Sequence, residues 1–270
     1  MQEIFYRKRV ADYIAKPELE VIGKVDRLDP KEQWHIGFPE VETKVDKLWT
    51  LKFKHGGKSL GSLTKENPEI ILKVFQGLAG VIEGLDIMNR NGVYHRDIKV
   101  NNILYNEQGV VRIIDFGIAI IGLPSSPMDE IFAHIYPVWP FETQLVSGNS
   151  GVYTTSIYGA YIDHSYFKII QSMHRLDPSE CRDNAVNLKR RFPDGIKLHQ
   201  EIIKHIDVYS LGVTLSHLLS DSNIIQALSI KQYHSIRDLA RKMVEPYTSE
   251  RISLSNALEE YRKICWSAPT

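Results

Sequence analysis

The reading of this chain turns on His95-Arg96-Asp97-Ile98-Lys99-Val100-Asn101-Asn102, followed eighteen positions after Asp97 by Asp115-Phe116-Gly117. Upstream lies the strongest helical pattern in the sequence, from Pro68 to Arg90. Ile71, Val74, Phe75, Leu78, Ile82 and Leu85 recur there at helical spacing and predict one apolar face. Asn67 suits the N-cap, Pro68 the first helical position and Glu69 the positive helix end. Asn91-Gly92 supplies the stop. Downstream, two short apolar strands are expected around Asn102–Tyr105 and Val110–Ile114, joined by the turn Asn106-Glu107-Gln108-Gly109. The first string therefore falls in the loop after the long helix, and the second at the far end of the hairpin. This layout predicts that Asp97, Asn102 and Asp115 meet at one edge of a sheet. Asp97 can accept a proton, Asp115 and the Asn102 amide oxygen are hard ligands suited to Mg²⁺, and Lys99 is the local cation.

Phosphoryl transfer needs an acceptor for a hydroxyl proton, oxygen ligands for Mg²⁺ and positive charge against the moving group. The two strings resemble the H-R-D-L-x-x-x-N and D-F-G elements of the protein kinase catalytic core, with Ile98 in place of Leu. The resemblance extends to Asp207-Val208-Tyr209-Ser210-Leu211-Gly212, similar to the motif that opens the central helix of the large kinase lobe. It implies that Asp207 holds the backbone of the catalytic loop. Pro140-Phe141-Glu142, whose Glu lies 27 residues after Asp115, resembles a degenerate A-P-E element, with Arg251 as the implied partner of Glu142. Phe53-Lys54-His55-Gly56-Gly57-Lys58-Ser59-Leu60 resembles the hinge between lobes and the start of the next helix. The resemblance implies that Asp97, Lys99, Asn102 and Asp115 are catalytic. Asn102 and Asp115 are the implied metal ligands, and Phe53, His55, Lys99, Asn102 and Asp115 the implied ATP contacts. Lys99, two residues after Asp97, accompanies Ser/Thr substrates in this family. Arg96 is expected to meet a phosphate on the activation segment, where Ser125 and Ser126 are candidate acceptors.

The implied fold is α+β: a two-lobed, kinase-like fold with a truncated N-terminal lobe over 1–53, a hinge at 54–57 and a mainly helical C-terminal lobe over 58–270. Two features depart from the family. No G-x-G-x-x-G precedes the hinge, where the only glycines are Gly23 and Gly37, and no strand there carries a V-A-I-K-like lysine. A predicted first helix, Gln2 to Ala15, resembles the regulatory helix of the small lobe, with Glu3 as its ion-pair residue. Further strand signals lie at Trp34–Phe38 and Leu48–Phe53. Between Glu142 and Asp207 lie sixty-four residues, an insertion at 143–206 that reads as mixed helix and loop. It holds Tyr153, Tyr158, Tyr161 and Tyr166 and the basic run Lys189-Arg190-Arg191, and is a candidate docking element for a partner. The compact small lobe, Gly-Gly hinge and long insertion together resemble kinases of large DNA viruses. The expected activity is transfer of the γ-phosphoryl of Mg·ATP to Ser/Thr hydroxyls of protein substrates. The alternative, resting on the absent glycine loop and lysine, is a pseudokinase that serves as an interaction module.

Composition bounds these expectations. The 270 residues carry 33 Lys+Arg against 33 Asp+Glu, so no basic excess marks a general nucleic-acid binder. Apolar residues at 43% and charged residues at 24% suit a globular domain. No run approaches the roughly 18 apolar residues of a membrane span, and MQEIFYRKRV does not read as a signal peptide. Cys181 and Cys265 are too few for a disulfide scaffold, which fits a reducing, intracellular (cytoplasmic) setting. The amphipathic segment Ser253–Ile264 and the apolar Val208–Leu219 are the last expected helices.

Overall fold

The computed structural model describes residues 20–24, 49–52, 56–125, 138–145 and 155–264. The expected first helix, the Trp34–Phe38 strand, Phe53, His55 and Ser126 lie outside the described residues. The chain divides into two compact units, a smaller one within residues 15–56 and a larger one from Gly57 onward. In the smaller unit, strand β1 (Glu20–Lys24) pairs antiparallel with β2 (Trp49–Lys52), with an irregularity between Val21 and Lys24. The second strand falls within the expected Leu48–Phe53. The first was not anticipated, because Val21-Ile22 is too short an apolar run to announce a strand.

The larger unit opens with β3 (Lys58–Ser59), a 3-10 turn over Leu60–Lys65 and helix α1 (Pro68–Arg90). The ends of α1 fall where local chemistry places them. The Asn67 side chain accepts from the Ile70 N–H at 3.0 Å, Pro68 occupies the first turn, and Gly92 takes φ +72° just past Asn91. Ile71, Val74, Phe75, Leu78, Ile82 and Leu85 are all buried, so the periodic face is the core face.

After α1 come β4 (Val93–Tyr94), a 3-10 turn at Val100–Asn102, β5 (Ile103–Tyr105), β6 (Val111–Ile113) and β7 (Ile120–Ile121). Strands β3, β5 and β6 form an antiparallel sheet in that order, with Ile103 opposite Ile113 and Tyr105 opposite Val111. The Asn106 side chain shapes the hairpin turn by accepting from the N–H groups of Gln108 (3.1 Å) and Val110 (2.9 Å). Helix α1 lies directly on this turn. A Cβ at Gly77 would come 2.0 Å from the Gly109 carbonyl oxygen, and one at Gly109 would meet the Lys73 backbone at 2.7 Å. Two glycines thus allow helix and hairpin to touch backbone to backbone. A separate pair, β4 with β7, brackets the two loops that carry the motif residues: β4 leads into His95 and β7 leads out of Gly117.

The remainder is helical: α2 (Thr155–Asp163), α3 (Ser165–His174), α4 (Pro178–Arg191), α5 (Gly195–Lys204), α6 (Ile206–Leu219), α7 (Ser222–Ala227), α8 (Ile230–Met243) and α9 (Leu254–Arg262). The stretch read as mixed helix and loop is thus mostly helix. Asp177 and Asp194 cap α4 and α5 through the N–H groups of Ser179 and Ile196, each at 2.9 Å. Helix α6 is buried at every position except His217, which makes it the axis of the unit. One core joins α1, the sheet, α6, α8 and α9. A second, on the other side of α6, joins Trp139, Phe141, Tyr161, Phe167 and Tyr209. The capping box of α8, Ser229 with Gln232, and the buried Leu254, Ala257, Leu258 and Tyr261 of α9 close the first core. No helix among the described residues is long and apolar enough to cross a membrane.

The contact between α1 and the hairpin turn yields a paired prediction. Gly77→Ala should lower stability by about 1–3 kcal/mol through overpacking, although alanine is the better helix former. Gly159→Ala in α2, where an added Cβ would meet no described atom within 4 Å beyond its chain neighbours and the helix's own backbone, should instead stabilise. Urea unfolding midpoints of the two variants should move in opposite directions.

Candidate active site

The site is assembled around one carboxylate on the first turn of α6. Asp207 is fully buried, and its two oxygens accept from the backbone N–H groups of His95 (2.9 Å) and Arg96 (2.7 Å). Burial pushes its carboxyl up to about 6, against the pull of those two hydrogen bonds. Arg96 sits at φ +67°, a region that costs a non-glycine residue on the order of 1–3 kcal/mol, and its amide is turned inward to reach Asp207.

His95 joins the two motif loops. Its Nδ1 accepts from the Asp97 N–H at 3.2 Å, so its Nε2 carries the proton and donates to the Ile114 carbonyl at 3.1 Å. Burial holds the imidazole down at about 4, against the raising effects of the Ile114 carbonyl and of the Asp97 and Asp115 carboxylates. Its ring meets Phe116 edge-on at 4.7 Å.

Asp97, Lys99 and Asn102 are brought into direct contact. The Asn102 amide nitrogen donates to the Asp97 carboxylate at 2.6 Å and to the Asp97 carbonyl at 3.0 Å. Lys99 Nζ lies 3.0 and 3.1 Å from the two Asp97 oxygens. With its nitrogen committed to Asp97, Asn102 has its amide oxygen left to offer a cation. The Ile114 N–H donates to the Asn102 carbonyl at 3.0 Å and ties the start of the second loop to the first. One residue on, Asp115 is exposed at φ +65°, and its Oδ1 accepts from the Gly117 N–H at 3.2 Å. Arg96 and Asp115 are two of the three non-glycine residues with positive φ among the described residues, so backbone strain concentrates in the two motif loops. The donors here are oxygens only, an amide and an exposed carboxylate. That donor chemistry suits a hard cation such as Mg²⁺, which these residues would hold.

Two further findings concern the surrounding residues. Glu142 and Arg251 form a buried ion pair at 2.8 Å. Thr248 also donates to Glu142 (3.3 Å), and Arg251 donates to the Glu245 carbonyl (3.0 and 2.9 Å) and lies over the Tyr209 ring. The second finding concerns Arg96. The side chain is buried, donates to the Ile118 carbonyl at 3.1 Å and packs over the Trp139 indole at 5.3 Å. An aromatic face and a carbonyl supplied by residues later in the chain both contact this cation. Trp139 and Thr248 were not singled out from the sequence, and only the Pro140-Phe141-Glu142 element next to Trp139 hinted at its place. Lys189, Arg190 and Arg191 are exposed in the last turn of α4, where cations suit the helix end. Cys181 is buried, which pushes its thiol up to about 12, so it is no nucleophile at neutral pH.

Residues 56–136 match the protein kinase domain family, a segment that holds both motif loops. The chain is 44% identical over 64 residues to the "Probable serine/threonine-protein kinase PknB" of Bifidobacterium longum, covering 23% of this chain and 9% of that protein. It is 31% identical over 116 residues to a mitogen-activated protein kinase kinase kinase of Pyricularia oryzae, covering 42% of this chain and 7% of that protein. It is 37% identical over 78 residues to cyclin-dependent kinase 10 of Bos taurus, covering 28% of this chain and 20% of that protein. The chain thus spans a fifth or less of the length of these relatives. The similarity is thus to protein kinases, and the Bifidobacterium longum relative carries the name of a serine/threonine-protein kinase.

The site yields two predictions. Removing one partner of the buried pair, as in Arg251→Met, should cost about 3–5 kcal/mol in urea unfolding, and Glu142→Gln in the same chain should recover part of that loss. His95 has a folded value near 4, below the ordinary 6.5. The unfolded chain therefore binds the proton first, and the stability present above pH 6.5 is lost as pH falls toward 4. In an NMR titration the His95 imidazole should stay neutral through that window. Titration near 6.5 would contradict its hydrogen bonds to Asp97 and Ile114.

Proposed function

We propose that this chain is a protein kinase that transfers the γ-phosphoryl group of Mg·ATP to Ser/Thr hydroxyls of protein substrates. The observation that carries the reading is the contact of Asp97 with Asn102 and Lys99 beside the Asp115 loop. In this reading the Asp97 carboxylate orients the substrate hydroxyl and takes up its proton. Its rotamer is held by the Asn102 amide, so it meets the hydroxyl without reorganising. Lys99, now paired to Asp97, turns toward the transferring phosphoryl group when a nucleotide is present and offsets its charge. Asn102 and Asp115 are the residues that would hold Mg²⁺, which would supply positive charge against the phosphate groups.

The adenine is assigned to backbone groups of the hinge around Phe53 and His55. The lobes are assigned as 1–53 and 58–270, with 54–57 between them and the insertion at 143–206. A boundary between compact units at Gly56–Gly57 supports the placement of the hinge. The Ser/Thr preference rests on Lys99 and on the names of the relatives.

Asp97→Asn keeps the size of the side chain and removes its basicity. It should retain the thermal midpoint of the parent and lower kcat by about 10²–10⁴-fold in a radiolabelled ATP assay on a Ser/Thr peptide mixture. Unchanged turnover would remove Asp97 from the mechanism. If the parent chain transfers nothing and millimolar Mg·ATP leaves its melting temperature unmoved, the interaction-module reading replaces this one.

A further inference from the structure

The peptide bond between Arg96 and Asp97 is pinned at both ends. Its N–H, on Asp97, donates to His95 Nδ1 at 3.2 Å. Its carbonyl, on Arg96, accepts from the indole N–H of Trp139 at 2.5 Å. This peptide follows directly on the strained φ of Arg96, and its plane sets where the Asp97 side chain leaves the backbone. Trp139 is itself held from the inserted region. The Tyr161 hydroxyl, on α2, donates to the Trp139 carbonyl at 3.0 Å and is 2.9 Å from the Tyr209 hydroxyl, which supplies the reciprocal donor. One residue earlier, the Ser210 hydroxyl donates to the Val138 carbonyl at 2.8 Å. Tyr161 and Trp139 are both buried, so these hydrogen bonds are shielded from competing water. The Tyr161 ring also packs edge-on against Phe141 at 5.2 Å, beside Glu142.

We propose that Tyr161 and Trp139 are positioning residues for Asp97. In this assignment the inserted helix α2 sets the direction of the Asp97 carboxylate through a relay, Tyr161 hydroxyl to Trp139 carbonyl and Trp139 indole to Arg96 carbonyl. The same relay seats the indole over the Arg96 guanidinium. The inserted region then acts as an internal brace of the motif loop. The assignment rests on the reading of Asp97 as the hydroxyl-orienting carboxylate, but its geometric core can be tested without turnover.

The test uses Tyr161→Phe, which removes one hydroxyl and keeps the ring, and Trp139→Phe, which keeps an aromatic face and removes the indole N–H. Backbone amide exchange of Arg96 and Asp97, read by NMR, should quicken about tenfold in each variant, as expected for one lost buried hydrogen bond, while amides in α1 and α6 keep their protection. On a Ser/Thr peptide, kcat should fall about tenfold with KM for ATP unchanged. Unchanged exchange at Asp97, or a uniform rise that includes α1 and α6, would overturn the proposal in favour of a purely structural role. The unsubstituted protein supplies a check independent of variant folding. The Trp139 indole N–H should be strongly protected from exchange, and free exchange would remove the relay. If the unsubstituted chain shows no phosphoryl transfer, the kinase reading fails while the exchange measurements still decide the positioning role.

Discussion

A single buried carboxylate organises the functional half of this molecule. Asp207 is fully buried on the most buried of the described helices, where ionisation is costly, and the two backbone N–H groups of His95 and Arg96 offset that cost. Immediately after these two groups the backbone of Arg96 turns left-handed. The loop is therefore under tension between an unfavourable φ and a favourable pair of charge-assisted hydrogen bonds. Everything downstream inherits this geometry: the neutral His95 bridging to Ile114, the Asn102 amide reaching back to Asp97, and Lys99 beside the same carboxylate.

A second buried charge, on Arg251, plays a comparable part for the segment around residue 142. Glu142 answers it, and Thr248 and Asn184 complete the polar set, with Asn184 donating to Thr248 at 3.1 Å. A pair of this kind adds little net stability over an apolar packing of the same volume, but it penalises any arrangement that separates the partners. Its effect is to commit the backbone of residues 138–142 to one position against α4, α6 and the α8–α9 connection. Trp139 sits in that backbone, so Asp207 and Arg251 act on the same loop from two sides.

Much of this was legible in the amino-acid order. Helix α1 begins and ends at the expected residues because Asn67, Pro68 and Asn91-Gly92 act within a turn of themselves. The β5–β6 hairpin differs from expectation only by a residue at its ends, since the Asn106 turn closes locally. The inserted helices were harder to read. The buried face of α4 is Cys181, Asn184, Ala185 and Leu188, too small and too polar to register as an apolar stripe, although Asp177-Pro178 marks its start. The contact of Arg96 with Trp139 is not legible locally, because Trp139 lies 43 residues further along.

What the sequence determined by itself was the local chain and its chemical equipment: one capped amphipathic helix, one hairpin, and the identities of the residues on either side of it. What only the tertiary structure decided was the state of those residues. It left His95 neutral and drew Arg96 under an indole. The physical reason is range. Caps, turns and periodicity act over a few neighbouring residues, whereas desolvation and charge pairing depend on whatever the rest of the chain happens to bring within a few ångströms.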